Sequence, residues 1–291
     1  MFGRRRSPTG TARTALAAVV GDPLFELIPI KNVEAQSAFL PAGATVSVTA
    51  SPAKGMDATI DLAEAFAARD FVVVPHLSSH MVRDRSHLAE IIRRCDGAGI
   101  RRAFVVGGDA EHPGEFRDGL SLLRAMADLG HHFTELGVPC YPQGHPLIAD
   151  DVLLQALTDK APFVQSMTTQ LCFDPKAIRS WVAARRADGI DLPVILGIPG
   201  VAEPQKLLSI AARIGVKDTK RFIMKNSGFV LRMVRSGGFY KPDGLLDDLA
   251  PLFADRAADV RGIHLYTFNQ VEATEAWRRP FVEALTEARS A

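Results

Sequence analysis

Four kinds of side chain in this sequence are placed where they could do chemistry. A carboxylate, Glu26, interrupts the apolar run LFELIPIK at 24–31, and a second, Asp109, follows Gly107 and Gly108. An amide, Gln170, closes the run SMTTQ, and the hydroxyl of Thr49 ends VSVT. Four rings, His76, Tyr141, His145 and Tyr266, stand at or near the ends of apolar runs. Burying an ionised carboxylate costs several kcal/mol unless it is paired, and an unpaired one takes up a proton instead. Glu26 therefore reads as an acid kept protonated near neutral pH, or as half of an ion pair with a cation such as Lys31. Asp109 reads as a fixed anion that offsets a developing positive charge, or as a turn residue, because Gly107 and Gly108 let the backbone bend and a ligand approach. Gln170 carries both a donor and an acceptor, which suits a polar heteroaromatic ring or a carboxamide. His76 fits a core histidine as well as a ligand contact, and Tyr266 fits packing.

The elements that must position these groups are legible as alternation. Eight apolar, β-rich runs lie at 24–30, 44–50, 71–77, 102–108, 134–141, 163–170, 193–199 and 262–268. Amphipathic helical patterns separate most of them, at 57–68, 84–98, 117–128, 149–159, 175–187 and 203–213, and another follows at 270–287. This predicts a (β/α)8 barrel over residues 23–291, with a doubly wound sheet as the alternative. The stretch 218–258 is longer than one crossover needs and predicts two extra helices before the last strand. In such a barrel, chemistry gathers where strands end at the C-terminal mouth, which is where the polar residues above fall.

Composition narrows the partners. With 34 basic and 33 acidic residues among 291, the net charge of +1 gives no general attraction to nucleic acid or anionic membranes, so a small molecule is expected. Three widely spaced cysteines, Cys95, Cys140 and Cys172, show no zinc spacing and fit thiols in a reducing cytoplasm. His131 and Glu135 are four apart but lead into a strand, so no metal pair is expected. The apolar run at 15–20 is too short for a secretory core or a membrane span, and residues 1–22 are expected to form a flexible basic tail.

Read in order, the strand ends resemble those of the methylenetetrahydrofolate reductase family. The pieces that carry the resemblance are FELIPIK, VSVTA, PHL at 75–77, GIRRAFVVGGD at 99–109, CYPQGHP at 140–146, TTQLCFD at 168–174, PVILGI and GIHLYTFN. The resemblance implies an enzyme of one-carbon metabolism and methionine biosynthesis that reduces 5,10-methylenetetrahydrofolate to 5-methyltetrahydrofolate with a nicotinamide hydride, from NADH or NADPH. It implies that Glu26 is the general acid that protonates N10 and opens the five-membered ring. It implies that Asp109 stabilises the N5 iminium cation, that Gln170, Thr49 and Tyr266 bind the folate, and that His76, Gly108, Tyr141 and His145 lie at the cofactor. The apolar neighbours Phe25 and Leu27 are expected to raise the pKa of Glu26.

Departures from the family pattern cluster on its flavin, FAD. SPAKG at 51–55 stands where the family has a glycine-rich segment, Gly107 replaces an arginine, and Gln165 falls where the family has an aspartate, with Lys160 nearby. The expectation is a reductase with a weak or absent FAD site and direct hydride transfer. The alternatives are an FAD-containing member, another barrel oxidoreductase using a flavin or deazaflavin, and a pterin-binding methyltransferase or carrier.

Overall fold

The structure is a computed structural model that describes residue 8 and residues 10–108, 112–203 and 238–287. Eight parallel strands close into a barrel in chain order: β1 (Leu24–Leu27), β2 (Thr45–Val48), β3 (Val72–Ser78), β4 (Arg102–Val106), β5 (Glu135–Cys140), β6 (Ser166–Thr169), β7 (Val194–Pro199) and β8 (Val260–Tyr266). Each falls on one of the expected apolar runs. Closure is made by β1 and β8, with Leu24 opposite His264 and Phe25 opposite Leu265. This is the expected (β/α)8 barrel.

Helix α1 (Gly10–Gly21) precedes β1, and further helices follow the strands: α2 (Val33–Ser37), α3 (Gly55–Ala67), α4 (Arg85–Gly97), α5 (Gly119–Leu129), α6 (Asp150–Lys160), α7 (Pro175–Ala187), α8 (Asp243–Ala254) and α9 (Val271–Glu287). Their starts are set by short polar caps. Asp84 accepts from the His87 amide, Asp118 and Ser121 form a reciprocal capping box, and Asp174 accepts from Lys176 and Ala177 ahead of a helix opened by Pro175. Of the two extra helices expected before β8, α8 is one; the pattern at 222–234 lies outside the described residues, as does most of 203–213.

Residues 10–21 correct the expectation of a flexible tail. Leu16 and Val20, four apart and so on one helix face, are fully buried in the packing of α1 against α8, α9 and β8. Arg278 of α9 donates to the last carbonyls of α1, Val20 at 3.1 Å and Gly21 at 3.0 Å, where a cation also opposes the helix dipole. The charge of Arg278 is balanced by Glu275, equally buried and bonded through both carboxylate oxygens.

Strand periodicity divides the side chains into two sets. Phe25, Leu27, Val46 and Val48 face the helical shell and are buried there, with the Arg278 guanidinium 5.6 Å from the centre of the Phe25 ring. The alternate set faces the barrel axis. A cavity of about 160 Å³ at the N-terminal end is lined from all eight strands, by Leu24, Thr45, Val74, Phe104, Gly137, Ser166, Thr168, Ile195 and Gly262 among others. Barrel interiors are ordinarily filled by layers of bulky branched side chains. Here glycine and hydroxyl residues hold many of those positions.

Candidate active site

Glu26 belongs to the axial set of β1, one residue from Phe25 and Leu27 but on the opposite face. The expected source of its pKa shift is thereby corrected, since those two side chains pack outward and cannot desolvate it. The desolvating surroundings are the barrel interior, where the carboxyl is only 6% exposed. Burial there raises its pKa from 4.5 to about 8. Lys31 is exposed, and the nearest basic group at ion-pair distance among the described residues is His264, whose Nε2 lies 3.8 Å from Glu26 Oε2. Burial lowers the pKa of His264 to about 3, and proximity to His76 adds to the effect. At neutral pH the contact therefore joins a neutral acid to a neutral imidazole, and the ion-pair reading of Glu26 fails.

His264 is a member of this site that the sequence reading passed over. Its Nε2 is 3.2 Å from Ser47 Oγ, and its ring stacks on Tyr266 at 4.8 Å between centroids. The signal was available: His264 precedes Tyr266 by two residues in GIHLYTF, so both project from one face of β8. His76 joins the same group, 6.1 Å from the His264 ring and 4.8 Å from Phe104, with its pKa lowered to about 4 by burial. His76 is thus placed on the axis next to His264. The Tyr266 hydroxyl lies 3.4 Å from Gln170 Oε1 and 3.4 Å from the Thr169 carbonyl, which joins β8 to the end of β6. Gln170 Oε1 also accepts from the Leu171 amide at 2.9 Å, which fixes the carboxamide so that its donor end is not used in that contact. Gly197 makes room for Tyr266, since a Cβ there would lie 2.7 Å from the ring.

The backbone around Glu26 is clamped from β8 onward. Thr267 donates its hydroxyl to the Glu26 carbonyl. Asn269 accepts from the Ile28 amide at 2.8 Å and donates to the Ile28 carbonyl at 2.8 Å. Phe268 and Asn269 reach these positions with φ of 52° and 53°, a left-handed turn that asparagine tolerates better than most residues.

The remaining expected residues sit around the mouth. Thr49, one residue beyond β2, is half-buried and extends the ladder through its amide to the Leu27 carbonyl at 3.0 Å. Gly108 has φ of 96°, and a Cβ there would meet Ser78 Oγ at 2.2 Å, so glycine is required where β3 and β4 approach. Asp109, next in sequence, lies outside the described residues. Tyr141 and His145 make an edge-on ring pair at 5.1 Å and line a small pocket with Gln170. Burial pushes the Tyr141 phenol up to about 12 and lowers the pKa of His145.

Two segments expected at a flavin behave differently. The SPAKG turn at 51–55 lies beyond β2, on the mouth side, and its last residue opens α3. Gln165, by contrast, stands at the start of β6, exposed, exchanging hydrogen bonds with the backbone of Leu136 at the start of β5. It is at the end of the barrel opposite the mouth, so its identity says nothing about a cofactor there. The described residues contain no cluster of His, Cys, Asp and Glu that could hold a metal ion. All three cysteines are free and buried, and no described helix is long and apolar enough to cross a membrane.

The chain is similar to two solved structures. A proposed lyase/mutase from Burkholderia cenocepacia J2315 is 18% identical, with 96% of this chain and 86% of that one covered and a TM-score of 0.46. A proposed phosphonomutase from the same organism is 16% identical, with 94% and 100% covered and a TM-score of 0.48. A family model described as methylenetetrahydrofolate reductase matches residues 30–228. That span contains Thr49, His76, Asp109 and Gln170 and leaves Glu26, His264 and Tyr266 outside it.

Proposed function

The chain belongs to the methylenetetrahydrofolate reductase family, and from that premise we propose that it reduces 5,10-methylenetetrahydrofolate to 5-methyltetrahydrofolate by direct hydride transfer from NADH or NADPH. The observation that carries the reading is Glu26, a carboxyl buried on the barrel axis with the His264 imidazole 3.8 Å away and its pKa raised to about 8 by burial. A pKa of about 8 leaves the acid loaded at neutral pH yet able to release its proton. Glu26 gives that proton to N10 as the C–N bond of the five-membered ring breaks, and the electron pair of that bond stays on N10. The N5 iminium left behind accepts hydride at its methylene carbon, which becomes the methyl group. Tyr266 and Gln170 supply hydroxyl and amide groups for the edge of the pterin, and Asp109 supplies the negative charge that favours the cation.

Direct transfer is favoured by two departures on the mouth side. Pro52, Ala53 and Lys54 occupy a segment that is glycine-rich in the resembling family, and Gly107 stands in place of an arginine. Side chains in the first position hinder close backbone approach, and the second removes a partner for phosphate. Without a flavin to store hydride, both substrates must be bound together.

Initial rates with methylenetetrahydrofolate and NADH test this. The expected result is a family of intersecting lines, activity independent of added flavin, and full transfer of deuterium from the nicotinamide C4 to the product methyl group. Parallel lines with activity that depends on FAD would assign the chain to the flavin-containing form. Absence of methyltetrahydrofolate under all these conditions would overturn the reaction itself.

A further inference from the structure

The proposed reaction consumes one proton per turnover, and Glu26 must be reloaded from solvent each time. In the direct-transfer reading, on which this inference rests, the mouth is covered by folate and nicotinamide together. The opposite end of the barrel offers another route. On the axis Ser47 stands level with Glu26 and Thr45 lies two residues below it on β2, Thr168 and Ser166 are spaced likewise on β6, and Leu24, Val74, Phe104 and Ile195 form the apolar part of the wall. Thr45, Ser166 and Thr168 line the cavity of about 160 Å³ at the N-terminal end, far above the roughly 10–15 Å³ that one water needs.

Above that cavity two ring nitrogens are orphaned. His264 Nδ1 and His76 Nε2 are buried with no hydrogen-bond partner, although His264 Nε2 already meets Ser47 and approaches Glu26. Buried polar atoms without protein partners are ordinarily satisfied by water. Successive axial positions on a strand are about 6.6 Å apart, a span that one bridging water covers. At the outer end the cavity meets solvent between Asp22, Arg102, Glu135 and Arg261, with Arg102 and Glu135 paired at 3.1 Å and both part-exposed.

We infer that this column is the proton-entry path of the enzyme. Water held by the hydroxyls of Thr45, Thr168 and Ser47 and by the His76 and His264 rings passes protons from the N-terminal face to Glu26. A neutral imidazole accepts on one nitrogen and donates from the other, so His264 relays a proton without storing charge. No oxidant or reductant is involved. Each step moves one proton along a hydrogen bond and the last restores the Glu26 carboxyl.

Infrared spectroscopy separates this path from the catalytic reading. The carbonyl stretch of a protonated Glu26 is identified by its loss in Glu26→Gln, and its shift after mixing into D2O reports exchange. With 5-methyltetrahydrofolate and NAD+ together closing the mouth, the wild-type band should still exchange rapidly. Thr168→Val, which keeps shape, and Ser47→Ala should each slow that exchange on the order of ten-fold or more, the effect of one broken step. Both should lower kcat with KM little changed and raise the solvent isotope effect. Exchange at the wild-type rate in both variants overturns the path while leaving Glu26 as the acid. Absence of the band from the wild-type protein overturns the acid itself, and the path with it.

Discussion

Replacing Glu26 by glutamine should stabilise the protein, and by an amount that depends on pH in a defined way. The carboxyl titrates near 4.5 when exposed and at about 8 in the barrel. Below about pH 4.5 it is protonated in both folded and unfolded chains and contributes no difference. As pH rises the unfolded chain ionises first, and the folded state loses about 1.4 kcal/mol per pH unit relative to it. The loss reaches about 3 kcal/mol at pH 7 and levels off at about 5 kcal/mol above pH 8, where the folded carboxyl also ionises. Glutamine does not ionise, so Glu26→Gln escapes this loss. Its second amide hydrogen needs a partner near His264 and Ser47, which adds an offset that does not vary with pH. Urea denaturation of both proteins from about pH 5 to pH 8 gives the difference directly, and every other titrating group cancels in the subtraction. The expected difference grows in favour of the variant with a slope of about 1.4 kcal/mol per pH unit. A flat difference across that range would refute the claim that burial holds Glu26 protonated.

In the proposed reaction the same carboxyl has the opposite preference. Reductase turnover should fall through about pH 8 as the acid is lost, and Glu26→Gln should cost on the order of 100-fold in kcat while folate affinity persists, measured by steady-state kinetics and binding. Asn269→Ala removes both hydrogen bonds to Ile28 and places alanine at a φ of 53°, so a loss of about 2–3 kcal/mol in stability and a reduced kcat are expected, whereas Asn269→Gly relieves only the backbone strain. Arg278→Leu removes the two-oxygen partner of the buried Glu275, leaving it only the half-exposed Arg279 at 3.0 Å, and uncaps α1; a loss of about 2–4 kcal/mol in denaturant unfolding is expected, and a double replacement with Glu275→Leu should recover part of it.

The barrel was legible because its evidence is local. Each strand is a short apolar run bounded by polar turns, and the helices between them repeat at helical spacing. What escaped depended on partners distant in sequence. The segment 10–21 carries no charged face to mark it as amphipathic, and its two buried residues gain their burial from α8 and α9 near the other end of the chain. At Glu26 the acid was recognised but its surroundings were assigned by sequence adjacency, whereas a strand sends neighbours to opposite faces. His264 and Ser47, which do surround it, arrive from β8 and β2. Gln165 shows the converse error, since alignment to a motif assigned it to the mouth and the direction of its strand puts it at the far end.

The clamp on Glu26 also sets an order of events during synthesis. Thr267 and Asn269 are made some 240 residues after the strand they hold, as is β8, which supplies the second neighbour of β1. Until that segment leaves the ribosome, β1 keeps an open edge, α1 lacks one of the two helices that cover it, and an acid that belongs in the buried barrel interior is exposed to bulk solvent. Contacts of such sequence separation form late and slowly. A chain synthesised to that point therefore carries an open barrel with one edge of β1 unpaired, and the Glu26 carboxyl gains its raised pKa only when the circle closes. Truncation of the last two elements should thus yield aggregation-prone protein in place of a smaller folded one.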